Sequence, residues 1–94
     1  MWGEQVVIVV CEGVKQEGEK NFETRILGVY ADPHDAENRL EEAAYDIYNE
    51  WCAKEEVDPA DNDEIKFVNK NDDLYTIQGV HEMYEAWIEV FELQ

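Results

Sequence analysis

The sequence predicts an α+β domain: a mainly antiparallel sheet of about five strands with one long helix packed on one face. Three observations predict it. Residues 33–54 carry one amphipathic helical stripe, and no other stretch does. The segments on either side read as β-branched or alternating runs. No internal repeat or linker divides the chain, so residues 1–94 form a single domain.

The elements follow in the order β-β-α-β-β-β. Residues 5–11 (QVVIVVC) are apolar on both faces, as a central strand requires. Residues 12–20 are polar and contain glycine, so they read as a long connection. Residues 21–30 form the second strand, with Phe22, Thr24, Ile26 and Tyr30 on one face and Leu27 and Val29 on the other. Asp32 then caps a helix that opens at Pro33, where no N–H is needed. Ala36, Leu40, Ala43, Ala44, Ile47 and Trp51 share its inner stripe. Residues 55–64 are an Asp-rich loop with Pro59. Short strands are expected at 65–69, 74–83 (with a bulge at Gly79) and 84–93, with a turn at 70–73. One helix covers one sheet face. Val7, Val9, Leu27, Val29, Tyr75, Ile77, Trp87 and Phe91 could then place apolar area on the other face, which calls for a partner, most simply a second copy.

Charge is the outlier of the composition. Asp and Glu number 24 against 7 Lys and Arg, a net charge of −17 and a pI near 4.1. Such a surface repels nucleic acid and anionic membranes and attracts basic partners. The N-terminal residues carry no basic region before an apolar run, and the apolar run at 6–11 is too short to span a bilayer. Cys11 and Cys52 stand in no motif and read as packed, reduced thiols, which points to the cytoplasm, or the host cytoplasm for a phage-encoded chain.

The step Gly28-Val29-Tyr30-Ala31-Asp32-Pro33-His34-Asp35-Ala36-Glu37, with the closing Trp87-Ile88-Glu89-Val90-Phe91-Glu92-Leu93, resembles a loose class of small bacterial and phage-encoded proteins. These run from a hairpin into a helix and close on a strand. The resemblance covers about half the chain and implies a fold, but no functional residue is carried over from it. In charge and size the chain is also similar to acidic phage inhibitors, including anti-CRISPR proteins and other DNA mimics.

The acidic belt between Asp32 and Glu64 is the feature with a function in it. Asp35, Glu42 and Asp46 form one helical stripe, and Glu37 and Glu41 lie near the opposite edge of the core stripe. Glu55, Glu56, Asp58, Asp61 and Asp63 continue the belt into the loop. Carboxylates three or four positions apart on a helix stand about 5–6 Å apart. Nucleic-acid charges repeat at roughly 3.4 Å per strand, so such rows can enter a groove built for DNA or RNA. Tyr45 lies among the carboxylates, a pairing suited to gripping Arg and Lys. The plain reading of the same residues is a solvated face, or adaptation to salt, with Arg39 pairing Asp35 or Glu42 along the helix.

Other chemistries fare worse. The loop fails the EF-hand pattern, because a register starting at Asp61 puts Lys66 where glycine is required. His34 and His81 have no Cys or His at ligand spacing. No phosphate-cradling glycine loop is present, and the chain contains no serine. The expected function is therefore a non-enzymatic acidic binding protein, without cofactor, metal or catalytic residues. It would inhibit a basic nucleic-acid-binding protein, in the most concrete case a CRISPR effector, without touching nucleic acid or membrane itself. The alternative is a small dimeric accessory module whose acidity serves solubility.

Overall fold

The computed structural model describes residues 5–93. Residues 1–4, which carried part of the reading on secretion, lie outside the described residues. The elements are β1 (Gln5–Gln16), β2 (Glu23–Tyr30), α1 (Pro33–Lys54), β3 (Lys66–Lys70), β4 (Leu74–Gln78) and β5 (Glu82–Leu93). They form one antiparallel five-stranded sheet in the order β2-β1-β5-β4-β3, with α1 lying across it.

The helix starts as its sequence dictates. The Asp32 carboxylate accepts the His34 N–H at 2.8 Å, and Pro33 occupies the first turn. Its inner face buries Ala36, Leu40, Ala43, Ala44, Trp51 and Cys52. These pack on Ile8, Val10, Tyr75, Ile77, Tyr84 and Ala86 of the sheet. Three alanines on the helix and one on β5 keep the two layers close. Ile47 is only half-buried.

Three boundaries differ from the sequence reading, each for a physical reason. β1 continues to Gln16 through residues read as a loop. Its Glu12 is buried, but Tyr84 donates to one oxygen at 2.7 Å and the Arg25 guanidinium to the other. A strand can therefore carry this charge inward. Gly79 is a turn between β4 and β5 rather than a bulge, and the expected 74–83 strand ends at Gln78. A Cβ at Gly79 would come within 2.8 Å of the Trp51 ring, so a side chain is excluded there. The bulge lies instead in the β1–β2 ladder, where Val10 pairs Gly28 but Cys11 pairs Ile26. Leu27 is the extra residue. It shifts the phase of β2: Thr24, Ile26 and Val29 share the open face, while Leu27 and Tyr30 pack on the core.

The open face also differs from expectation in part. Tyr75 and Ile77 face the helix with Tyr84 and Ala86, as their pairing requires. Val7, Val9, Val29, Trp87 and Phe91 do lie opposite the helix.

Candidate functional site

The helix and the loop after it place the acidic residues in two rows. Asp35, Glu42 and Asp46 are exposed along the outer side of α1. Arg39 bonds Glu42 at 3.2 Å, an exposed pair of small energetic weight. Glu41 and the half-buried Glu37 lie on the other flank. Glu41 sits near Tyr75 and Lys70 and adds to the burial that pushes the Tyr75 hydroxyl up from its ordinary value. Glu37 borders a groove floored by Val6, Ile8, Ile88 and Val90.

Tyr45 is already engaged within its own chain. Its ring packs on Phe67 at 5.1 Å, and the Lys70 ammonium lies 5.0 Å above it. It grips a lysine, as its type and setting suggest, but the lysine is internal. Tyr48 also stacks on Phe67, at 4.8 Å.

The helix ends in a Schellman arrangement. Glu56 N–H donates to Ala53 and Val57 N–H to Cys52, with Glu55 as the cap. The residue that must be left-handed here is Glu56, at φ 58°. Glycine is the residue this position favours. Glu50, Glu55 and Glu56 also place negative charge at the negative end of the helix dipole.

The loop that follows is built, not slack. Asn62 holds it together: its amide donates to the Asp58 carbonyl at 2.8 Å and to the Tyr48 hydroxyl at 3.3 Å. Its carbonyl oxygen accepts from Glu64 and Ile65. Tyr48 in turn donates to the Pro59 carbonyl at 2.8 Å. This folds the loop back along the helix and seals Cys52, which is fully buried. Asp58, Asp61 and Asp63 project from this frame and are exposed. Tyr48 reads from the sequence, like Tyr45, as an aromatic among carboxylates, whereas Asn62 is not singled out there. The signal available was an asparagine within a run of aspartates, where only an amide can both donate and accept.

Among the described residues, basic side chains are mostly engaged elsewhere: Arg25 with Glu12, Lys54 with Glu82, Lys15 over Phe22, Lys70 over Tyr45. No ion pair among the described residues reaches Asp35, Glu41 or Asp46, or the loop carboxylates. No group of three or more His, Cys, Asp and Glu among them is placed to hold a metal ion. No helix among them is long and apolar enough to cross a membrane.

Fold and surface together define a two-layer α+β protein with a strongly acidic helical side. Comparison with protein-family models, with curated proteins and with solved structures found no match.

Proposed function

We propose that this chain is a non-enzymatic acidic binding protein that occupies the basic groove of a nucleic-acid-binding partner. An inhibitor of the phage-encoded, anti-CRISPR kind is its concrete form. The observation that carries the reading is where the carboxylates are kept. Most stand exposed on the helix and a clasped loop, Asp35, Glu41, Asp46 and the loop aspartates have no ion-pair partner among the described residues, and some acids are held at local cost. Glu56 occupies a glycine position, and Glu55 and Glu56 oppose the helix dipole. Solubility alone does not require acids at those positions, because neutral polar residues would serve. Local rules are broken most readily where function demands it.

The binding is mainly electrostatic, so it is fast and falls steeply with salt. It is also distributed along the rows. The test is capture from host lysate at low salt and elution with salt, then competition between this protein and labelled DNA or RNA for each captured partner. Glu42→Lys with Asp46→Lys is expected to weaken competition at least tenfold, and Glu92→Lys to change it little. Thermal midpoints are measured in parallel, because charge reversal in an acidic belt stabilises the fold. Simultaneous binding of nucleic acid and this protein would defeat the mimicry.

A further inference from the structure

The side of the sheet away from the helix has a composition unlike the rest of the molecule. Its rows can be read from the pairing. Lys15, Met83, Gln78 and Lys66 stand side by side at one end. Gly13, Glu85, Thr76 and Asn69 follow, then Ile26, Cys11, Trp87 and Leu74. Val29, Val9 and Glu89 come next, and Val7 with Phe91 completes the far end. Ile26, Val29 and Phe91 are 66%, 61% and 51% exposed. The charged residues of these rows are Lys15, Lys66, Glu85 and Glu89, two of each sign. A chain of net charge −17 thus has one face of zero net charge, and that face carries Ile26, Val29 and Phe91 in the open.

We propose that this face binds a second copy of the same chain, giving a two-fold particle with an acidic helix on each outer side. Local charge selects the occupant. The face has no net acidity to draw a basic partner and no net basicity to draw nucleic acid or an anionic membrane. It does match itself in apolarity and neutrality, as an isologous contact requires. Thirteen of the 24 carboxylates lie on the helix and its loop, so most of the repulsion between two such chains resides on the far layers. Layers stack at about 10 Å, so the two helices stand about 30 Å apart, nearly four Debye lengths of about 8 Å at physiological salt.

The sheet edges are poor alternatives. β3 has five residues, carries Lys66 and Lys70, and is bulged at Val68; β2 is bulged at Leu27. Short, charged and bulged edges resist strand addition. The face also has the size. Strands of up to 12 residues, at about 3.4 Å per residue and 4.8 Å apart, give an area comparable to the roughly 800 Å² per partner of a stable interface. The molecule is 17 Å thick along its shortest axis, which leaves this side without a second layer.

The particle is then bivalent, and its two acidic rows point in opposite directions. The experiment is sedimentation equilibrium of the full chain from 1 µM to 500 µM, at low and at 0.5 M salt. A dimer is expected that holds or tightens with salt, the opposite of the salt response of the acidic belt. Ile26→Lys with Val29→Lys is expected to give a folded monomer, since both side chains are more than half exposed and leave no cavity. Unchanged circular dichroism and thermal midpoint at low concentration verify the fold. Glu42→Lys with Asp46→Lys is expected to leave the dimer intact. A wild-type monomer at 500 µM overturns the proposal, and so does a dimer indifferent to the Ile26 and Val29 pair. Neither result touches the acidic belt, whose own assay reads competition with nucleic acid.

Discussion

The two sides of the sheet obey opposite rules. Under the helix, apolar residues are sealed and charge faces outward or is paired: Leu40, Val10 and Ile77 are fully buried, Glu12 is bonded by Tyr84 and Arg25, and the groove end at Val90 stays open. On the other side, Ile26, Val29 and Phe91 are open around the buried Val9 and Cys11, and net charge vanishes. The contrast teaches that the charge of this chain is not spread evenly for solubility. A protein made acidic only to stay dissolved would place carboxylates over its most exposed apolar strands. Here they lie over the helix and its loop, which already cover a core.

The largest effect that would break the comparison is in the core. Leu40→Ala removes a fully buried side chain and is expected to cost about 2–5 kcal/mol in denaturant unfolding. The same truncation at Ile26, measured below the dimer range, is expected to cost under about 0.5 kcal/mol. Half-buried Ile47→Ala should fall between them. Equal losses at Leu40 and Ile26 would erase the distinction between the faces.

Next in size is Tyr84→Phe. It takes a charged-acceptor hydrogen bond from buried Glu12 and is expected to cost about 1.5–3 kcal/mol. The same group sharpens the comparison through pH. Burial first, then the Glu12 bond, pushes the Tyr84 hydroxyl far above its ordinary value. Burial raises Tyr75 and Tyr48 too, and burial and then Glu89 raise the Cys11 thiol. Each group holds its proton more tightly folded than unfolded. Their contribution is therefore complete below the ordinary thiol and phenol values of 9.0 and 10.0 and is lost as pH rises beyond them. Thermal midpoints should fall between pH 9 and 11, and fall less in Tyr84→Phe. A flat profile would contradict the buried assignment of these groups.

The smallest effect lies in the acidic loop. Glu56→Gly relieves a left-handed glutamate and a charge at the wrong helix end, and is expected to stabilise by about 1 kcal/mol. A loss of stability would mean that Glu56 has a structural bond holding it in place, and the reading of it as a residue kept at a cost would fail.

The helix was fully legible in the chain, from Asp32-Pro33 to Lys54, because its cap and its stripe are local signals. The element order was legible for the same reason. What was not legible depends on distant partners. Glu12 reads as a loop residue until Tyr84, 72 positions away, is seen to satisfy it. Cys52 and Tyr48 fall off the helical stripe, and only the folded-back loop explains their burial. The phase of β2 turned on one extra residue, Leu27, and no local pattern marks a bulge without glycine or proline at the bulged position. The acidic belt and its two helical rows were visible in the sequence, because helical spacing is local, but the Asn62 clasp was not.

That clasp gives the molecule a built-in clock. Cys52 lies sealed beneath the loop, within 3.9 Å of the Asn62 amide. A thiol reagent reaches it only as often as the clasp lets go, so its rate of modification counts openings of that segment. Asp58, Asp61 and Asp63 ride on the same segment. The tempo read at one sulfur atom is therefore the tempo at which this end of the acidic surface can reshape itself against whatever it meets.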